Sequence, residues 1–205
     1  GALHYVLGNH EQYLLQGRPK SAHEKYYGTV RAAGIDYGEL WSTRTELGRW
    51  LRSKPVLVQV GDTLFTHGGI SPQVLATGLD LAAIDALAAR CNGVLALAKS
   101  AEMKVIFGRN GLVGYRGLAK ATEATPKAGS AHVEALLAKF GARRIAIGHT
   151  LAEHVGMSYG GRVLRTDVAH ADGTVEGILF SGGMLWRVAA DGTRVPLAEA
   201  VNLAG

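Results

Sequence analysis

The stretch VLGNHEQYLL, residues 6–15, runs from apolar residues through Gly8 straight into Asn9, His10 and Glu11. An amide, an imidazole and a carboxylate stand together where an ordinary turn would suffice. One reading is a polar strand-to-helix turn, with Gly8 bending the chain, Asn9 capping the helix and Glu11 suiting its first turn. The other is chemical, and the rest of the chain decides between them.

The same local design recurs twice more. Residues 63–69 read TLFTHGG, and residues 143–150 read RRIAIGHT. Each apolar β run ends in a polar residue flanked by glycine, at Asn9, His67 and His149. In layered β folds, strand ends gather at one edge and ligands lie in the crevice beyond them. Glycine at such ends lets backbone come close to a ligand. Two imidazoles and an amide oxygen form a donor set that suits Zn, Mn or Fe.

Around these ends the chain alternates helix and strand, then turns to hairpins. Residues 3–7 read as a strand, followed by a helix over 11–16. Thr43 and Glu46 have capping-box spacing, and Leu47, Trp50 and Leu51 share one helical face, stopped by Lys54-Pro55. VLVQV, Gly61-Asp62 and TLFTH predict a hairpin. Residues 72–100 are Ala/Leu-rich and helical, with breaks near Gly78 and Gly93. A helix over 130–140 leads into RRIAIGHT, a β-α-β-like step. GRVLRTDV, VEGILFSGG, MLWRVAADG and TRVPL are short strands between tight turns.

Composition narrows the class. A chain of 205 residues with no internal repeat or linker is most simply one domain over 1–205. A formal charge of +5 suits an anionic partner. The basic residues are scattered and not interleaved with aromatics, which argues against a nucleic-acid platform. One cysteine, Cys91, excludes an internal disulfide and reads as a small core residue. No apolar run approaches the ~18 residues of a membrane span. The chain opens on Gly1 rather than Met and enters its first apolar run at once, so it looks processed or cut from something longer. A cytoplasmic location is the expectation, with an export signal left open.

GNHE, HGG and GHT in this order, with GYRG at residues 114–117 between the last two, resemble the calcineurin-like metallophosphoesterase superfamily. The likeness is to its phosphoprotein-phosphatase branch, and within that to the bacterial Shewanella-like phosphatases. It covers most of residues 3–170. It implies an α/β sandwich of two mixed β-sheets flanked by helices, lacking its N-terminal strand or strands. It also implies hydrolysis of phosphate monoesters, of phosphoserine/threonine or phosphotyrosine proteins, at a dinuclear site of two divalent metal ions (Mn, Fe or Zn).

By this resemblance Asn9, His67 and His149 are ligands of the second metal. His10 is the catalytic acid that protonates the leaving alkoxide, and Arg116, beside Tyr115, holds the phosphate. Glu11 is assigned a supporting or capping role. The family's DxH and GDxxDRG motifs are absent, so this chain alone is expected to hold at most one metal ion and to be weakly active or inactive. GYRG stands where the family has WYRG, and residues 166–173, TDVAHADG, depart from its pattern. His4, His23, His132, His154 and His170 read as surface or satisfied residues.

Two other readings stay open: a degenerate phosphoesterase fold that binds phosphate or a partner without turnover, and a basic nucleic-acid-binding domain. The segment 18–43, with Tyr26, Tyr27, Tyr37 and Trp41, reads as an insertion, either a cap over the site or a satellite core.

Overall fold

The computed structural model describes residues 1–18, 22–94, 97 and 100–197. Its centre is a five-stranded sheet in the order β1-β2-β3-β5-β4, built from β1 (Leu57–Val60), β2 (Thr63–Thr66), β3 (Arg144–Ile147), β4 (Gly156–Ser158) and β5 (Val163–Arg165). β2, β3 and β5 run parallel, while β1 and β4 close the edges antiparallel. Gly61 takes φ 57° at the β1–β2 turn, a conformation open to glycine at little cost.

Both faces of this sheet are covered, and the alternation along its strands shows how. Leu64, Ile145, Ile147 and Val163 join the main core with helical residues such as Ile84, Ile106 and Leu136. Ala146 and Leu164 point the other way, toward Phe65, Ile178 and Leu185. Ile178 and Leu185 belong to a second sheet of β6 (Glu176–Ser181), β7 (Met184–Ala189) and β8 (Arg194–Pro196). The two sheets therefore face each other, with helices on the far side of the first. The helices are α1 (Asn9–Leu15), α2 (Glu24–Ala32), α3 (Glu46–Arg52), α4 (Pro72–Ala76), α5 (Leu81–Cys91), α6 (Ala101–Phe107) and α7 (Ser130–Phe140).

Some expectations change. The second sheet is wholly antiparallel rather than mixed, because tight turns at 182–183 and 190–193 return each strand beside its predecessor. Residues 3–7 form no strand: Leu7 is buried, but the segment makes one backbone bond, from Leu7 N to Pro55 O at 2.8 Å. Helix α1 begins two residues earlier than expected, with Gly8 and not Asn9 at its cap. Helix α3 is capped by Thr45, whose hydroxyl accepts from Gly48 N at 3.1 Å. Of its apolar residues only Leu51 is buried, while Leu47 and Trp50 are exposed. In the 18–43 segment, α2 buries no residue, and Tyr37 stacks against Tyr27 and Trp41 as a small aromatic group. Among the described residues, no helix is long and apolar enough to cross a membrane.

Candidate functional site

Because β2 and β3 are parallel neighbours, the residues that follow them emerge at one edge. His67 comes one position after β2 and His149 two after β3, joined by a bond from Gly148 N to His67 O at 2.8 Å. Asn9 arrives from the opposite side at the start of α1. Its Oδ1, an acceptor only, takes the Nε2 proton of His67 at 2.8 Å. His149 Nδ1 lies 3.2 Å from the same Nε2, and the two rings meet edge to face with centroids 5.0 Å apart. Asn9, His67 and His149 thus form one cluster.

The glycines of the motifs make this approach possible. A Cβ on Gly8 would stand 2.8 Å from both His67 Nδ1 and a Glu11 carboxylate oxygen. One on Gly68 would stand 2.8–3.0 Å from the backbone of residues 113–115. That backbone leads to Arg116, so the close pass beneath HGG aims the arginine at the site. Arg116 Nη1 donates to His149 O at 2.8 Å and to Thr150 Oγ1 at 3.4 Å. His149 itself sits at φ 63°, strained for a residue with a side chain. Such strain persists only where surrounding contacts enforce it, and here Arg116 grips the carbonyl of the strained residue.

The electrostatics keep both imidazoles neutral. Burial is the largest influence on His149, helped by Arg116, His67 and His10, and its pKa falls to about 4. Burial also lowers His67, against the opposing fields of Glu11 and Asp167. Glu11 accepts from Gly8 N at 2.8 Å and from Tyr5 hydroxyl at 3.1 Å, closing the turn before α1. His10, on the exposed side of the same turn, stands clear of the core with its ring 5.7 Å from that of Tyr13.

Tyr115 lies elsewhere. It is buried in the main core, its ring against Gly69 and Gly117. Asp167 went unnoticed in the sequence. It follows β5, the third parallel strand, so it reaches the same edge, and its carboxylate acts on His67. The signal was there: GRVLRTD is another apolar run ending in a polar residue. Of the remaining histidines, His23 caps α2, His132 Nε2 donates to Ile70 O at 2.8 Å, and His154 pairs with Glu176.

Cys91 has no place in this chemistry. It is fully buried in α5, and burial pushes its thiol pKa up, the reverse of what a thiolate nucleophile needs.

No protein-family model and no curated protein matches the sequence. Solved structures do. A cold-active protein tyrosine phosphatase determined at 1.1 Å shares 32% identity with a TM-score of 0.86, over 97% of this chain and 58% of that one. A point mutant of a cold-active enzyme of this kind gives 31% and 0.85. The cold-active enzyme of a psychrophilic Shewanella species gives 31% and 0.82, and both of these matches cover 97% of this chain and 59% of theirs. All three are protein tyrosine phosphatases. The present chain spans about three-fifths of the length of the structures it matches.

These matches give the chain the mixed α/β architecture of a phosphatase and correct the resemblance read from the motifs. The calcineurin-like metallophosphoesterase reading is corrected: the solved structures to which the chain is similar are named protein tyrosine phosphatases. The expectation of two divalent ions (Mn, Fe or Zn), or of one on this chain, is corrected as well. Among the described residues, no group of three or more His, Cys, Asp or Glu side chains is placed to hold a metal ion. The cluster consists of two imidazoles and an amide, joined through Asn9 Oδ1, His67 Nε2 and His149 Nδ1.

Proposed function

We propose that the protein hydrolyses phosphate monoesters, with aryl esters of the phosphotyrosine type as substrates, at the edge formed by Asn9, His67, His149 and Arg116. The observation that carries the reading is the convergence of three separate chain segments on one point, with an arginine fixed beside it. Three of the phosphatases to which the chain is similar act, by name, on protein tyrosine.

The chemistry follows from the groups present. Arg116 is oriented through Nη1, and its planar fork retains donors for two phosphate oxygens. Neutral His67 and His149 with Asn9 form a polar floor that does not add repulsive charge around Arg116. Water supplies the entering oxygen and keeps one proton in the product phosphate. The phosphorus–oxygen ester bond breaks, and the leaving oxygen takes a proton from protonated His10. The water's other proton passes to solvent, from which His10 is reprotonated. A positioned acid of this kind contributes roughly 10²–10⁴-fold. A phenolate leaves readily, whereas an alkoxide needs its proton.

The test compares His10→Ala with the unchanged protein on a phenyl phosphate and on an alkyl phosphate. The alkyl ester should lose about 10²-fold or more in kcat and the phenyl ester clearly less. Equal losses on both esters would remove His10 from the acid role. Absence of hydrolysis together with absence of phosphate binding by calorimetry would end the proposal.

A further inference from the structure

The opposite end of the same sheet holds a second feature. Strands β2, β3 and β5 deliver their last residues to the His67–His149 edge, so their first residues define the far edge. There a groove of about 1270 Å³ opens between α7, the start of β3, the β4–β5 turn and the β6–β7 hairpin. Met157, Leu185 and Leu197 form an apolar strip within it, continuing the contact between the sheets. Its rim exposes Phe180 and Met184.

Three arginines stand around this apolar strip, Arg143, Arg144 and Arg162. Arg143 meets Asp62 at 3.7 Å and Arg162 meets Glu134 at 3.6 Å, both long pairs with solvent-exposed partners. Such exposed pairs contribute little and exchange readily. Arg144 lies with its guanidinium 5.9 Å from the Phe180 ring, and among the described residues no carboxylate pairs with it. The groove therefore carries a surplus of one positive charge beside an apolar strip, on a chain whose formal net charge is +5. Its volume exceeds the ~300–1,000 Å³ of small-molecule pockets and suits a length of polypeptide.

We propose that this groove docks an extended acidic segment of the phosphoprotein substrate, in which Asp or Glu alternate with large apolar side chains. In an extended strand alternate side chains face opposite ways, so apolar residues meet the strip while carboxylates meet Arg144 and its neighbours at the rim. The proposal rests on the phosphatase reading only for the identity of the bound protein. From Arg144 to His149 is five residues, about 16 Å at ~3.3 Å per residue. The docking segment must then lie at least about five residues from the phosphorylated one.

The first arm needs no turnover: fluorescence anisotropy of a labelled unphosphorylated ten-residue peptide alternating Glu with Leu and Phe, against the same peptide with Lys for Glu. The acidic peptide should bind at least tenfold tighter, weaken with salt, and lose about tenfold on Arg144→Ala with an unchanged melting temperature. Equal binding of the two peptides, or no effect of Arg144→Ala, overturns the groove. Tighter binding to a chain ended at Leu197 assigns it to residues 198–205 of this chain, and concentration-dependent dimerisation through Phe180 assigns it to a second copy; either overturns the proposal.

The second arm joins the acidic segment to a phosphotyrosine peptide through a six-residue spacer. Its kcat/KM should rise about tenfold over the bare phosphopeptide, and Arg144→Ala should cancel the gain while phenyl phosphate turnover is unchanged. A bound peptide that leaves kcat/KM unmoved means the occupant is not substrate, and the proposal falls. Should no ester be hydrolysed at all, the phosphatase reading fails, the docking of substrate falls with it, and the first arm still decides whether the groove binds acidic peptide.

Discussion

The two sheets of this protein face each other yet differ in what they carry. The strands of the first are enclosed between helices and the second sheet, and three of them end in the residues of the candidate site. The second sheet buries no residue fully along β6, β7 or β8. A strand enclosed on both faces is fixed in register and direction, so whatever follows it is held in a defined position. A half-covered hairpin is held chiefly by its turns and its one packed face. Chemistry that needs convergence from distant segments is therefore built on the first sheet, and the second serves as its cover.

Packing substitutions sharpen that contrast most. Ile145→Ala on β3 empties a fully buried position and should cost about 3–5 kcal/mol. Ile178→Ala on β6, only partly buried, should cost about 1–2 kcal/mol. Urea unfolding of the two variants reads the difference. Equal costs would mean that the second sheet contributes to the core as fully as the first.

The features legible in sequence follow the same division. GNHE, HGG and GHT stood out because an apolar run stopping in a glycine-flanked polar residue has few other uses. Asp167 shared that pattern but was passed over, since its strand sits among hairpins whose turns are polar anyway. Tyr115 was misplaced because adjacency to Arg116 in the chain suggested adjacency in space, whereas consecutive residues of an extended loop point apart. Leu47 and Trp50 obeyed helical spacing and still face solvent, because α3 is a short helix that packs through Leu51 and Gly48. Residues 3–7 have strand composition but no described strand beside them to pair with.

Acid tests the enclosed edge specifically. His149 is held neutral to about pH 4 in the folded protein and takes up its proton near the ordinary value of 6.5 when unfolded. Stability is thus full above pH 6.5 and falls as pH drops from there toward 4, and His67 acts in the same direction. After allowance for solvent screening of these half-buried rings, the loss should be about 1–2 kcal/mol. His149→Gln should flatten that part of the profile. An unaltered slope in the variant would mean that other groups set the acid sensitivity.

At the site itself, Arg116→Lys should raise KM and the inhibition constant for inorganic phosphate about tenfold, with little change in kcat. An ammonium cannot grip His149 O and still offer a planar fork to phosphate. If both constants stay put, Arg116 serves only to hold the strained His149 carbonyl.

The smallest expected effect lies where the chain first enters the site. Glu11 accepts from Gly8 N and from the Tyr5 hydroxyl, so one carboxylate closes the turn that presents Asn9 and His10. Glu11→Gln keeps an acceptor for Gly8 N and removes the charge, and stability should drop by only about 0.5–1 kcal/mol. The clearer readout is Tyr5, whose pKa is pushed up to about 12 by burial and then by the Glu11 charge and hydrogen bond. Burial survives the substitution, so the pKa should fall back only part of the way toward 10, visible as an earlier tyrosinate absorbance step near 295 nm. Should that step not move, Tyr5 and Glu11 are not coupled in solution, and Glu11 closes the turn before α1 through Gly8 N alone.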